Sequence, residues 1–333
     1  MLRCGRPGHG GSYGGDVRLR LGNFNRIPIV KGAATLGQYQ YHRSRSRIWG
    51  KTDFTPDISV KARLVNEFWD YTDGKPAGAP SDDKEFPSEI VIDNLYVDIN
   101  NLIGGKLDLR LGRQDLFYGN GKIILDGTPG DGSRTSYFNG IKARYKFKND
   151  LSMDLFAVAN NDEDWMAINS QHRSLSPNDI DESAFGLYLK SSNKQYPSEM
   201  YYVFKHENDV SSSNNDLDLH TFGARLMPKF TPSVSGNMEV AYQTGKMENN
   251  AITDMGGWLV DAKLAYQLPI AKSLKPVVDV SYYYLSGDDS STGSNYEGWW
   301  QVFGRWSQNM EIRNYSPPNL FCQPKPSEWQ SKG

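Results

Sequence analysis

The 333-residue sequence predicts an all-β fold, an antiparallel up-and-down transmembrane β-barrel, from three observations. Apolar and polar residues alternate with period two from about residue 16 to 306, connections alternate between short and long, and several strands exceed nine residues. Helical periodicity is nearly absent, and no apolar run reaches the ~18 residues a membrane helix needs. Alternation of this kind places successive side chains on opposite faces of a strand.

The strands follow in order. "VRLRL" sets Val17, Leu19 and Leu21 against Arg18 and Arg20. "VKARLVNEFW" sets Val60, Ala62, Leu64 and Phe68 against Lys61, Arg63 and Glu67, and "KLDLRLG" sets Leu107, Leu109 and Leu111 against Asp108 and Arg110. In "GIKARYKFKNDLSMDLFAVA" Ile141, Ala143, Tyr145 and Phe147 alternate with Lys142, Arg144, Lys146 and Lys148. A turn at 148–150 then restarts the pattern at Leu151, Met153 and Leu155. "MEVAYQ", "WLVDAKLAYQ" and "VVDVSYYYL" continue it, the last two with Trp258, Val260, Ala262, Leu264 and Tyr266, and with Val278, Val280, Tyr282 and Tyr284, on one face. Thirteen to fourteen strands result, more than a single sandwich usually holds.

Tight connections fall at 53–57, 101–106, 148–150, 193–198, 228–233 and 269–275, and long polar ones at 73–87, 115–134, 160–182, 206–218 and 286–298. Successive connections of an up-and-down barrel lie at opposite ends. Short–long alternation therefore gathers the turns at one rim and the long loops at the other, as in outer-membrane barrels. Aromatic residues collect near strand ends (Trp69 and Tyr71, Tyr137 and Phe138, Trp299 and Trp300), where lipid-facing girdles belong. A soluble β-sandwich accounts for the alternation equally well, but Greek-key connections do not sort loops this way.

Net charge is −2, which announces no nucleic-acid partner, so electrostatic function must come from local segregation of charge. Mean hydropathy is −0.62. Cys4 and Cys322 lie in the irregular ends and indicate neither disulfide scaffold nor zinc site. The opening "MLRCGRPGHGGSYGG" lacks the apolar segment of a secretory leader. Catalytic signals are poor. "GGSYG" resembles a nucleophile elbow without the strand before it or the helix after it, and "GNGK" lacks the spacing of a phosphate loop. The histidines form no metal-ligand pair, and the acidic loops 126–132 and 286–294 read as solvated. Neither enzyme, cofactor nor metal is expected.

If one face meets lipid, it must be the apolar one, since a cation facing hydrocarbon costs ~2–4 kcal/mol at the midplane. Arg18, Arg20, Arg45, Arg47, Lys61, Arg63, Arg110, Lys142, Arg144 and Lys146 then point into the lumen, with Arg43 at a rim. Arg113 breaks the parity of its strand and needs a bulge at Gly112 or a place above the membrane, but it is counted among these solute-facing cations. Such a lining would lower the barrier to an anion, and arginine suits carboxylates. Glu67, Asp108, Asp154, Glu239 and Asp261 stand ready to pair with the cations, and a self-neutralising lumen remains the alternative.

The stretch "LRLGRQDLFYGNGKIILDGTPGDGSRTSYFNGIKARYKF" resembles the bacterial alginate export family in its Leu111–Gln114 strand end, its Tyr118–Gly121 loop, and Arg134, Phe138 and Gly140 at the next strand entry. "YQYHRSRSRIWGKTDFTPDISVKARL", "YYYLSGDD" and "YEGWWQVFGRWSQ" are similar to further parts of that family, with Ser307 where a proline is expected. The resemblance covers about residues 16–310 and implies an outer-membrane barrel of roughly eighteen strands. It further implies passage of a polyuronate, and a periplasmic export apparatus as partner. The expected organisation is an irregular segment over 1–15, the barrel over 16–306 and an irregular tail over 307–333. The tail lacks alternation, so the barrel is expected to be incomplete. Two other readings stay open: a general or small-solute outer-membrane porin, and a secreted soluble β-protein that binds glycans.

Overall fold

The computed structural model describes residues 10–24, 39–73, 90–125, 137–148, 150–161, 166, 168, 181–208, 216–249, 251–270, 273–288 and 295–303. The strands are β1 (Gly10–Phe24), β2 (Tyr39–Asp53), β3 (Ile58–Asp73), β4 (Ile90–Asn101), β5 (Leu107–Gln114), β6 (Phe117–Tyr118), β7 (Ile124–Leu125), β8 (Phe138–Lys146), β9 (Leu151–Asn160), β10 (Glu182–Ser191), β11 (Ser198–Glu207), β12 (Asp216–Leu226), β13 (Val234–Asn249), β14 (Ala251–Gln267) and β15 (Val277–Leu285). All but β6 and β7 form one 13-stranded sheet in sequence order. Each strand pairs antiparallel with the next, so the wall is an up-and-down barrel wall whose edges, among the described residues, are β1 and β15. No described helix is long and apolar enough to cross a membrane.

Register sorts the two faces as the alternation predicts. Across β8 and β9, Ile141 stands opposite Ala157 and Ala143 opposite Leu155 on one face, while Arg144 stands opposite Asp154 on the other. The apolar face lies open: Ile141 is 52% exposed and Leu19 77%, and no second sheet covers either. In water such a face would not stay bare, whereas in a bilayer it is solvated by hydrocarbon.

The short turns are closed by their own side chains. Thr55 Oγ1 accepts from the Asp57 and Ile58 amides, Asn193 Oδ1 from those of Gln195 and Tyr196, and Thr231 Oγ1 from those of Ser233 and Val234. Such local bonds replace ladder partners where a strand reverses. Between β4 and β5, left-handed backbone at Asn101, Ile103, Gly104 and Gly105 does the same work.

Three expectations need correction. The Gly-rich stretch 10–15 is strand rather than irregular, pairing with β2 from Gly10–Asp53 onward. Glycine shows no alternation, yet Gly14 leaves room for the Trp49 ring that lies over it. Second, β13 and β14 run to Asn249 and Ala251, so one connection at the long-loop rim is tight. Third, Tyr137, Phe138, Trp299 and Trp300 are buried rather than set in a lipid girdle. Exposed aromatics of the outer face include Trp258, Tyr266, Tyr282 and Tyr284 instead. Residues 1–9, the tail 307–333, both cysteines, Arg134 and the loop 126–132 lie outside the described residues.

Candidate functional site

The inner face of β1–β5 and β8 carries the cations. Register sets Arg18 opposite Arg45 and Arg20 opposite Arg43, Lys51 opposite Lys61, and Arg110 opposite Lys142. Carboxylates hold most of them. Asp16 serves two, Arg47 Nε at 2.8 Å and Arg45 Nη2 at 3.3 Å. Asp154 is shared by Arg144 at 2.7 Å, Lys142 at 3.5 Å and Lys190 at 3.7 Å. Arg110 grips Asp98 through two nitrogens, at 2.7 and 3.1 Å, and its guanidinium lies 4.0 Å over the Tyr96 ring. Lys146 pairs with Asp108 at 2.6 Å and Arg43 with Glu67 at 2.9 Å. Lys61 lies over the Trp49 and Tyr96 rings.

Two segments lie against this inner face. Residues 115–125 form an insert that begins beside β3 and β4, where Arg63 Nη2 donates to Asp115 at 3.0 Å while its Nε donates to Asp93 at 2.7 Å. The insert then reaches the opposite part of the wall. Asn120 donates to Asp261 of β14 and accepts from Arg225 of β12, and the Lys122 ammonium lies 3.9 Å over the Tyr283 ring of β15. Burial holds the Lys122 ammonium below its ordinary pKa, with Asp261 pulling the other way. Tyr118 stacks on Tyr188 with ring centroids 4.2 Å apart.

The second segment, 295–303, runs beside the upper part of β14 and then turns inward. It is joined to the insert by a parallel bridge between Ile124 and Phe303. Lys205 donates to the Val302 carbonyl at 2.8 Å, and Gln243 brackets Trp300 by accepting from its amide and donating to its carbonyl. Leu116, Tyr118, Ile123, Ile124, Trp299 and Phe303 thereby join Val203, Leu217, Leu219 and Leu259 of the wall in one core.

Arg18, Arg20, Arg45, Arg47, Lys61, Arg63, Arg110, Lys142, Arg144 and Lys146 all stand on the inner side of the ladder, and the ion pairs bring most of them together. Arg113 does not join them. Gly112 takes a φ of 120°, and Arg113 is only 1% exposed. It donates to Asn139 Oδ1 at 2.8 Å and the Ile92 carbonyl at 3.0 Å, beside the Tyr137 ring. It cannot meet a solute there, so its role is to hold a strand end.

A model of the alginate export family matches residues 12–329. The chain belongs to the alginate export family. It is therefore an outer-membrane protein of β-barrel architecture, and the match runs through the tail that lacked alternation. No curated protein matches it. Among solved structures it is similar to the outer-membrane protein OmpT of Vibrio cholerae in its trimer form, at 11% identity over 88% of this chain and 95% of that one, TM-score 0.40. It is also similar to OmpF of Salmonella typhi in complex with daunomycin, at 10% identity over 89% and 97%, TM-score 0.37, and to OprB of Pseudomonas putida, at 8% over 84% and 88%, TM-score 0.32. The architecture rests on the sheet and the family, not on these distant likenesses.

Sequence reasoning did not see that this family member fills part of its inner face. The signal was present as "LFYGNGKIIL" and "GWWQVF", apolar and aromatic runs inside connections otherwise polar.

Proposed function

We propose that the chain is a passive outer-membrane channel for an anionic polysaccharide, an alginate-like polyuronate, conducted along arginine and lysine side chains. The observation that carries this reading is the register of like charges: Arg18 with Arg45, Arg20 with Arg43, Lys51 with Lys61, and Arg110 with Lys142. Like charges directly opposite one another destabilise a sheet, and an anionic solute relieves that cost. Arg43, Lys51 and Arg110 each keep a carboxylate of their own, but Asp16 is divided between Arg45 and Arg47, and Asp154 among Lys142, Arg144 and Lys190. A polyuronate carries one carboxylate per sugar, so it would meet successive weak sites, which conduction requires. Delivery to the short-turn rim falls to a periplasmic export apparatus, and no step makes or breaks a bond.

Planar-bilayer recording tests this. Oligouronates should block the ion current at low salt far below the concentration at which a neutral dextran of equal length does, and the block should weaken on going from roughly 0.1 to 1 M salt as screening shortens. Equal block by the two polymers rejects the reading. The small-solute porin is favoured by a different observation, the insert that crosses the inner face from Arg63 to Asp261. A steady current indifferent to both polymers would support it. A soluble glycan-binding protein is opposed by the bare apolar face, and monodispersity without detergent would be its signature.

A further inference from the structure

Two pairs of carboxylates stand directly opposite one another on the inner side of the ladder: Glu182 with Glu207 across β10 and β11, and Glu239 with Asp261 across β13 and β14. Like charges so placed destabilise a sheet unless something of opposite sign lies between them. The first pair has its cation, because Lys205 pairs with both carboxylates. The second has no such residue. Tyr201 donates to Glu239 Oε1 at 2.8 Å, but Glu239 Oε2 has no partner among the described residues, and Glu239 is only 1% exposed. Arg225, its register neighbour on β12, turns instead to Glu199, Asn237 and Asn120. Lys122 lies 3.9 Å from Asp261, with its ammonium over the Tyr283 ring. A buried acceptor left without a bond is costly, so the free oxygen points to a ligand.

We propose that Glu239 and Asp261 bind a small hard cation of the sodium class, in the place between them that Lys205 takes between Glu182 and Glu207. The groups facing that place are carboxylate oxygens, which suit hard cations rather than soft ones. Charge balance selects a monovalent ion. Glu199, Glu239 and Asp261 bring three negative charges and Arg225 and Lys122 two positive ones, which leaves one to neutralise. Calcium would overshoot beside Lys122, and it takes about six to eight oxygen ligands. Among the described residues no three acidic, histidine or cysteine side chains come together to begin such a shell. In a channel for a polyanion, an uncompensated acid pair would repel the cargo, and the bound ion removes that barrier. The site itself does not rest on the channel reading, and its test reads stability alone.

Urea unfolding of the detergent-folded protein in sodium chloride and in choline chloride of equal ionic strength tests this, since choline screens as sodium does but is too large for a gap that an ammonium fills. Sodium at about ten times its dissociation constant should raise the wild-type midpoint by about 0.5 M urea, and the rise should follow one-site binding. Glu239→Gln and Asp261→Asn should each abolish the difference. In choline Glu239→Gln should unfold at or above the wild-type midpoint, because the like-charge pair is gone. Glu182→Gln, whose cluster carries its own ammonium, should keep the sodium effect whatever its own stability. Equal wild-type midpoints in the two salts refute the site and leave Glu239 holding a proton in place of a cation. A sodium effect that survives in both Glu239→Gln and Asp261→Asn also refutes it, because the ion then acts elsewhere.

Discussion

The inner face of the wall is built in two ways. From β1 to β5 and on β8 it is a lattice of ion pairs, and side chains such as Arg144, 43% exposed, keep contact with solvent. From β9 to β14 it is a packed interior, closed over by the insert and by 295–303. Both hold buried charges, Arg63 with Asp93 on the first and Lys205 on the second, and what separates them is how those charges are shared. Glu182 stands opposite Glu207 in register, a like-charge pair of the reverse sign, but here Lys205 sits between the carboxylates and all three side chains are at most 5% exposed. On the cationic wall the carboxylates are divided among competing cations. On the packed wall one ammonium is fully committed, and its last bond holds Val302.

The largest effect expected from this contrast is at Lys205. Removing one partner from a buried ion cluster typically costs ~3–5 kcal/mol, because the remaining charges have neither water nor partner. Lys205→Met should lower the unfolding free energy by about that much in urea titrations of detergent-folded protein. Combining it with Glu182→Gln and Glu207→Gln should recover most of the loss. A loss of under ~1 kcal/mol, the range of exposed pairs, would mean that the two walls do not differ in this way.

A smaller effect compares the faces rather than the regions. Ile141→Arg puts a cation on the open apolar face at a cost of ~2–4 kcal/mol near the bilayer midplane. Lys142→Gln, next along the chain but on the inner face, should cost less, since Arg144 and Lys190 still hold Asp154. Unfolding titrations of lipid-reconstituted protein measure both. Equal losses would contradict the assignment of oil to one face and water to the other.

What the sequence made legible follows from the range of each interaction. Faces and turns depend on neighbours one to four residues apart, so Ile141 against Lys142, and the reversals at 53–57, 193–198 and 228–233, can be read directly. The strand at Gly10–Gly15 could not, because glycine carries no side chain to alternate. Ion pairing was named only as a possibility: Arg63 meets Asp115 across 52 positions and Asn120 meets Asp261 across 141, distances over which a linear pattern says nothing. Tyr137, Phe138, Trp299 and Trp300 are buried rather than lipid-facing for a related reason. An aromatic residue near a strand end fits a lipid girdle and a buried core equally well until the fold shows what covers it. Arg113 was recognised as breaking parity, but the left-handed Gly112 and the Ile92 carbonyl that bind it in are properties of the assembled sheet.

The smallest stability effect, and the most informative electrical one, is expected at Asp16. Its side chain is 41% exposed, so water already screens its bonds to Arg45 and Arg47, and exposed pairs of this kind contribute ~0–1 kcal/mol. Asp16→Asn should therefore leave the unfolding midpoint nearly unchanged. It removes, however, a carboxylate that, with Glu67, tempers a row in which Arg18 faces Arg45 and Arg20 faces Arg43. The field of that row should then become more positive at no structural cost. The reversal potential under a salt gradient should move toward anion selectivity, and the oligouronate concentration for half-block should fall. The shift should vanish near 1 M salt, where the screening length is about 3 Å. A shift that persists at high salt would signal a change in bore shape, while no shift at low salt would mean that the cations of β1 and β2 do not face the conducted ions.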